Sequence, residues 1–272
     1  MTFLAARRPG AGPPARVTLL GVPYDTTASF RRGSRFGPDA IRHASDSIET
    51  YSPTLDRDLE DASFVDAGNL NVEGLHPTAM VRAILRQMPP GVPFLLGGEH
   101  TVTLGAVRGI TPRFPDVTVL QWDAHTDLRD AYDGQHTAHA TVMRRLLDGA
   151  LPLVQFGVRA GTREEFALAR ERCLHSSRSL TPPPGLLDML RTRSLYLTVD
   201  IDVLDPAVAP GTGNPEPDGA AYADLLGALR GLAGCRIVGM DLVEVAPALD
   251  PSGRTAIIAA SLVREMLLLF GA

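Results

Sequence analysis

Short apolar runs recur along this chain, nearly all followed directly by a Gly or an Asp, and they alternate with longer segments of helical character. Apolar runs bounded in this way are typical of buried strands in a parallel sheet. The predicted strands are Val17–Leu20, Phe64–Val65, Pro93–Leu96, Val117–Trp122, Leu153–Phe156, Leu195–Val199 and Arg236–Met240, with a weaker run near Cys173–Leu174. The predicted helices are Pro38–Ile48, Pro77–Met88, Thr101–Gly109, Ala138–Leu147, Arg163–Arg170, Tyr222–Leu232 and Ala256–Phe270. This alternation predicts an α/β fold with three layers.

No internal repeat or low-complexity linker divides the chain. The proline-rich segments Thr181–Gly185 and Ala209–Gly219 are short enough to be loops. We therefore predict one domain over residues 1–272, with residues 1–15 as a flexible N-terminal tail. Ligands bind such a sheet at the carboxyl ends of its strands, so functional residues are expected directly after the apolar runs.

The composition excludes several classes of function. The 272 residues carry a formal net charge of −5 without a long basic run, so no nucleic-acid surface is indicated, and a small cationic substrate would be tolerated. All 26 basic residues are arginine, which excludes reactions that need a lysine, such as Schiff-base chemistry. Cys173 and Cys235 form no CxxC pair, and no stretch approaches the ~20 apolar residues of a membrane span. We expect a cytoplasmic protein without a membrane partner.

The segment Asp123-Ala124-His125-Thr126-Asp127 carries the strongest chemical signal. Its two aspartates and one histidine are spaced by two residues, which on an extended backbone places all three on one face. They follow a predicted strand, so they are expected at its carboxyl end. Two carboxylates and an imidazole that converge there would repel each other and lose solvation unless a cation held them. The alternative is a solvated polar turn.

Two further segments deliver similar groups after predicted strands. Asp200 and Asp202 end one apolar run and face the same way, although this D-x-D spacing also occurs in simple loops. His100 follows the Gly97-Gly98 pair and opens a predicted helix, where glycines allow a tight turn. Taken alone, a histidine at a helix start is more often a cap or a core residue. Because two other strands bring acids to the same edge, a role of His100 as a metal ligand is favoured instead.

Together these segments supply four carboxylates and two imidazoles, with no sulfur. This set is too large and too anionic for one ion and suits two divalent cations that share carboxylates, with Mn²⁺ favoured over Zn²⁺ by the hardness of oxygen ligands. Two such ions can activate a water molecule at neutral pH. The six candidate metal ligands are His100, Asp123, His125, Asp127, Asp200 and Asp202.

Two more positions bear on substrate binding. Glu244 lies just beyond a predicted strand, where a carboxylate could hold a guanidinium through two parallel hydrogen bonds. Its alternative is a salt bridge to one of the many arginines. His136 and His139 stand at the start of a predicted helix, and one of them could act in proton transfer. The alternative is that both are ordinary polar residues there.

These motifs resemble the arginase/agmatinase (ureohydrolase) family, and its agmatinase branch most closely. The resemblance extends from Gly21–Asp25 to the last helix and includes the Gly- and Arg-rich segment Ser29–Arg42. Three motifs carry it: G-G-E-H at 97–100, D-A-H-T-D at 123–127 and D-I-D-V-L-D-P at 200–206.

The resemblance implies a three-layer α/β/α sandwich with an eight-stranded parallel sheet, assembled as a homo-trimer or homo-hexamer. It also implies that the six candidate ligands bind two Mn²⁺ per chain, with Asp123 and Asp202 bridging. By motif position, Asp127 would orient the attacking hydroxide, His139 matches the proton-handling histidine better than His136, and Glu244 matches the glutamate that pairs with the guanidinium.

The predicted reaction is hydrolysis of a small cationic guanidino compound, agmatine first, to urea and an amine. Asn214 stands where relatives commonly carry a second threonine near the guanidinium, and this difference could mark another substrate. The alternatives within the class are guanidinobutyrate, arginine and formiminoglutamate. The alternatives outside it are a one-zinc amidohydrolase of the deacetylase type and a metal-stabilised oligomer without catalysis.

Overall fold

A computed structural model describes residues 1–271 and contains one eight-stranded sheet in which every strand pairing is parallel. The strand order is β4-β1-β5-β10-β9-β6-β7-β8, and a two-stranded hairpin of β2 and β3 lies outside the sheet. The strands are β1 Val17–Val22, β2 Tyr51–Ser52, β3 Arg57–Asp58, β4 Phe64–Asn69, β5 Val92–Gly97, β6 Thr118–Trp122, β7 Leu153–Phe156, β8 His175–Ser176, β9 Ser194–Asp200 and β10 Arg236–Val243.

Eight α-helices among the described residues complete the architecture. They are α1 Gly37–Ser45, α2 Pro77–Arg86, α3 Val102–Ile110, α4 Val142–Asp148, α5 Arg163–Arg172, α6 Pro184–Leu190, α7 Tyr222–Arg230 and α8 Arg254–Phe270. The helices predicted from the sequence are all present, with shifted bounds. Helix α6 is not among the predicted helices, because its first residues lie in the proline-rich segment Thr181–Gly185, for which the sequence predicts a loop. Pro184 starts this helix, at a position where the missing N–H of proline costs no hydrogen bond.

Side chains that alternate along the strands fill two hydrophobic cores, one on each face of the sheet. Leu19 belongs to the core that contains residues of α1, α6, α7 and α8, whereas its neighbour Leu20 belongs to the core that contains residues of α2, α3, α4 and α5. Strands buried on both faces explain why the apolar runs in the sequence are continuous. The three-layer α/β/α prediction is confirmed.

The expected flexible tail at residues 1–15 is wrong for its first part. Phe3 is only 1% exposed, and its ring contacts Phe64 edge-on at 6.5 Å. The backbone N–H of Phe3 donates to Asp66 Oδ2 at 2.8 Å, and the same carboxylate pairs with the buried Arg42. Arg7 forms a parallel bridge to Val65. One aromatic anchor and a buried acceptor therefore hold a segment whose prolines and arginines suggested a tail.

A further strand prediction needs a small correction. The weak run near Cys173–Leu174 is not itself a strand, since β8 begins directly after it, at His175, and pairs with β7 at the sheet edge. Among residues 1–271 no helix combines the length and apolar character needed to cross a membrane.

Candidate active site

Four neighbouring strands carry the predicted site residues at their carboxyl ends. In the sheet these strands lie in the order β5-β10-β9-β6. His100 follows β5, Asp123 follows β6 and Asp200 ends β9, while Glu244 directly follows β10. The pairing register of β10 and β9 places their carboxyl ends at the same level, because Val243 pairs with Asp200. Residues far apart in sequence therefore meet at one edge of the sheet.

The His100 imidazole points at three carboxylates. Its Nδ1 atom lies 3.0 Å from Asp123 Oδ2, 3.2 Å from Asp127 Oδ2 and 3.4 Å from Asp200 Oδ2. On the other side of the ring, Nε2 lies 2.8 Å from Thr198 Oγ1. The buried Nδ1 atom has no hydrogen-bond partner by distance and angle among residues 1–271. A buried nitrogen that faces carboxylates without hydrogen bonds is what a metal ligand requires.

A second group of ligands adjoins the first. His125 Nδ1 lies 3.0 Å from Asp202 Oδ2 and 3.5 Å from Asp123 Oδ1. The groups His100–Asp123–Asp200 and Asp123–His125–Asp202 each offer ligand atoms within 4.8 Å of one another. Asp123 belongs to both groups through its two oxygens. The geometry therefore suggests a binuclear metal site that shares the Asp123 carboxylate, whereas Asp202, which was expected to bridge as well, belongs to one group only.

Asp127 reaches the cluster in a way that the spacing argument did not predict. Its backbone is left-handed, with φ of 53°, rather than extended. The resulting turn places its carboxylate beside His100, although it falls outside both three-residue groups. All six predicted ligands are thus brought together, with Asp127 at the margin.

The charges of this cluster are not balanced by protein groups. Burial, together with the charges of Asp202 and Asp123, raises the pKa of Asp200 well above its ordinary value. Burial and Asp123 raise the pKa of Asp127 to about 7. Burial would lower the pKa of His125, but Asp202 and Asp123 outweigh it and raise this pKa to about 12. Four buried carboxylates and two imidazoles without sulfur form a donor set that fits two divalent cations.

Two buried glutamine side chains form a relay, which is a chain of hydrogen bonds that ends at Asp123. Gln121 Nε2 donates to Asp123 Oδ2 at 2.7 Å, and Gln155 Nε2 donates to Gln121 Oε1 at 2.7 Å and to Thr126 O at 2.8 Å. Gln155 Oε1 in turn accepts from Ser176 Oγ at 3.1 Å. Because each amide has its acceptor end already occupied, the relay has one direction, and its last donor faces Asp123.

Gln155→Leu is expected to weaken metal binding although Gln155 touches none of the six ligands. Without this donor, the Gln121 amide keeps only its contacts to Asp123 Oδ2 and, at 3.3 Å, to the His125 carbonyl, so its N–H is held less firmly toward Asp123. The dissociation constant for the more weakly held ion should rise about tenfold to a hundredfold, as for other outer-shell partners of ligands. Titration of metal-free protein with Mn²⁺ measures this change. Ser176→Ala, which removes only the outer end of the relay, should have a smaller effect, and equal affinities in all three proteins would contradict the relay.

Glu244 lines the same cavity and also supports His100. Its Oε1 accepts the backbone N–H of His100 at 2.8 Å, whereas its second oxygen has no hydrogen-bond partner among residues 1–271. Its own N–H donates to Gly98 O at 2.8 Å, and its φ is 65°. Burial, assisted by the charge of Glu99, raises its pKa to about 8. One free oxygen in an anionic cavity suits a cationic ligand, and the alternative of a salt bridge to an arginine is not seen among the described residues.

His139 and Asn214 also line this cavity, whose volume is about 460 Å³. His139 is 8% exposed and lies in a short 3₁₀ turn before α4. Burial lowers its pKa to about 4, helped by the nearby His100 and His125. The segment before Asn214 is held by Arg31, which donates to Thr212 O at 2.8 Å and Gly213 O at 3.2 Å. His136 is exposed and bonds instead to the backbone of Asp130.

Some residues around the cavity were not predicted from the sequence. Gln121 and Gln155 each interrupt an apolar run, and a polar residue inside a buried strand is a signal that could have been used. Thr27 and Tyr132, which both contact His139, carried no comparable signal.

Comparison with known proteins agrees with this geometry. The sequence model of the arginase family matches residues 15–269. An agmatinase of Halalkalibacterium halodurans is 40% identical over 269 residues, which cover 93% of this chain and 92% of that protein. A guanidinobutyrase of Pseudomonas aeruginosa is 35% identical over 274 residues, covering 92% of this chain and 84% of that protein.

A solved structure extends the likeness to the whole fold. Proclavaminate amidino hydrolase from Streptomyces clavuligerus superposes with a TM-score of 0.90 at 29% identity, covering 99% of this chain and 96% of that one. A family match over most of the chain and relatives of this identity lead to one conclusion. The chain belongs to the arginase family and is a hydrolase that acts on carbon–nitrogen bonds.

Proposed function

We propose that this protein is a ureohydrolase that converts agmatine to putrescine and urea with two Mn²⁺ ions per chain. The observation that carries the proposal is the composition of a single cavity. Five of the six predicted metal ligands line it together with Glu244, His139 and Asn214, while the buried Asp123 contacts two of these ligands, His100 and His125. The 40% identical agmatinase supports agmatine as the substrate.

Each metal position is assigned to one group of ligands. His100, Asp123 and Asp200 would hold one ion, with Asp127 beside them, and Asp123, His125 and Asp202 would hold the other. The predominance of oxygen ligands favours Mn²⁺ over softer ions. When bound, the two cations would activate a water molecule and stabilise the charge that develops as the planar guanidino carbon becomes tetrahedral.

The remaining residues would bind the substrate and handle protons. The free oxygen of Glu244 would accept hydrogen bonds from the guanidinium and place its carbon over the cluster. Asp127, at the edge of the cluster, would accept the proton of the attacking water, and that proton would finally reach the leaving amine. His139 and Asn214 would contact the substrate from the cavity wall.

A panel of guanidines tests this assignment. Purified protein loaded with Mn²⁺ should release urea from agmatine with a higher kcat/KM than from 4-guanidinobutyrate or arginine, and should release no formamide from formiminoglutamate. Turnover of 4-guanidinobutyrate alone would replace agmatine with the acidic compound, for which the guanidinobutyrase relative is the support. No turnover of any of them, with two ions bound, would favour a metal-stabilised protein without catalysis. One zinc per chain would favour the deacetylase-type alternative.

The cellular context is part of the same proposal. We infer a cytoplasmic enzyme that forms one catalytic domain and assembles as a homo-trimer or homo-hexamer, and sedimentation of the metal-loaded protein measures that assembly.

A further inference from the structure

A buried network of hydroxyl and carboxylate groups lies against His139. Thr27 Oγ1 lies 2.6 Å from Glu99 Oε1 and 3.3 Å from His139 Nδ1. It also accepts the backbone N–H of His139 at 3.1 Å. Thr27 is 8% exposed and Glu99 is fully buried, and neither lines the cavity. The network therefore contacts His139 without reaching the substrate.

Counting protons gives the direction of these hydrogen bonds. Glu99 receives three donors, because Thr27 N lies 2.7 Å from Oε2, and the hydroxyls of Thr27 and Thr101 lie 2.6 and 2.7 Å from Oε1. Burial raises the pKa of Glu99 to about 7, whereas its hydrogen bonds from Thr27 and Thr101 lower it, and in its ionised form Glu99 acts only as an acceptor for these three donors. A hydroxyl has one proton, and Thr27 places it on its shortest contact, Glu99. Toward His139 the Thr27 oxygen can then only accept.

The tautomer of His139 follows from this count. If Thr27 Oγ1 accepts at His139 Nδ1, that nitrogen must carry the proton, and the neutral ring then has its lone pair on Nε2. Nε2 has no hydrogen-bond partner among residues 1–271. The Tyr132 ring meets the imidazole edge-on, with ring centres 5.2 Å apart, and limits its rotation. Because His139 lines the cavity, the unpaired acceptor is available there.

We propose that Thr27, oriented by Glu99, is a positioning residue that keeps His139 as the Nδ1–H tautomer and presents Nε2 to the substrate as a hydrogen-bond acceptor. The proposal rests on the function proposed above, since a guanidinium has N–H donors and no acceptor. The N–H groups of the bound guanidinium would then donate to two acceptors, His139 Nε2 and the free oxygen of Glu244. In this tautomer His139 would serve substrate binding as a hydrogen-bond acceptor.

The test is a double-mutant cycle between positions 27 and 139. Thr27→Val keeps the shape of the side chain and removes the hydroxyl, and it should lower kcat/KM for agmatine roughly tenfold to a hundredfold with two metal ions retained, by analogy with partners that orient metal-bound histidines. Thr27→Ser, which keeps the hydroxyl, should stay within about threefold of the parent. In a His139→Asn background, Thr27→Val should cost no more than about twofold, because the group it positions is gone.

Thr101→Val is the matched control. It removes a second buried hydroxyl from the same Glu99 oxygen, and this hydroxyl lies 3.4 Å from Thr27 Oγ1 but does not bond to His139. Its effect on kcat/KM should therefore multiply with that of His139→Asn instead of disappearing. If Thr27→Val and His139→Asn also have multiplicative effects, Thr27 acts only through the fold and the proposal is overturned.

A second readout is independent of activity. Nitrogen-15 NMR of histidine-labelled protein loaded with diamagnetic Mg²⁺ reports which ring nitrogen carries the proton, and the His139→Asn spectrum identifies the signal. The parent should show Nδ1–H, and Thr27→Val should shift the population toward Nε2–H. An Nε2–H parent would overturn the tautomer assignment even if agmatine is hydrolysed. An Nδ1–H parent that hydrolyses no guanidine would instead leave the positioning intact and remove the proposed function.

Discussion

Asp202→Ala is expected to release one of two metal ions and to reduce urea formation from agmatine by about a thousandfold or more. Asp202 Oδ2 lies 3.0 Å from His125 Nδ1, and its other oxygen accepts the N–H of Ala124 at 3.1 Å. Its removal leaves the second ion with His125 and a share of Asp123. Loss of a single oxyanion donor already costs roughly 10²–10³ in kcat, and loss of an ion that activates water should cost more.

Metal analysis of the purified variant, beside a steady-state assay, measures both effects. Asp205→Asn is the matched control, since Asp205 belongs to the same segment but to neither ligand group. Its oxygens accept the backbone N–H groups of Ala207 and Gly219, and asparagine keeps one acceptor. The control should hold two ions. Two ions in Asp202→Ala as well would show that the second group does not bind metal, and the binuclear assignment would fail.

The part of this site that could be predicted is the part delivered by strands. Asp123 and Asp200 directly follow buried apolar runs, His100 follows another after a short glycine turn, and parallel strands place their carboxyl ends at one edge. Local spacing alone therefore predicts that these groups lie close together. The same reasoning located seven of the eight helices, because an amphipathic segment between two buried strands has few other ways to cover the sheet.

The part that could not be predicted depends on turns and on packing between distant segments. The left-handed backbone of Asp127 is a property of one turn, and the i, i+2, i+4 spacing gave no sign of it. Thr27 meets residues 72 and 112 positions away, and no local pattern encodes such contacts. Phe3 likewise is held by Phe64 and by Asp66, which lies 63 positions away in the sequence. In each case the missing information is tertiary.

Glu244→Gln should lower kcat/KM for agmatine by about 10²-fold, close to 3 kcal/mol of transition-state binding, while the protein keeps two metal ions. The substitution preserves size and one oxygen acceptor. That acceptor can still receive the N–H of His100, so the ligand loop stays in place. The charge that would pair with the guanidinium is lost, and an amide N–H can take the place of the second acceptor.

The control is Glu216→Gln, which removes the same charge from another glutamate of the same cavity. Its effect should stay below about tenfold, because screening limits what an unpaired charge contributes at a distance. The two variants then separate a specific pair from the general negative potential of the cavity. Parental kcat/KM in Glu244→Gln would exclude Glu244 as the guanidinium partner. Loss of metal together with activity would mean that its bond to His100, and not substrate binding, is its contribution.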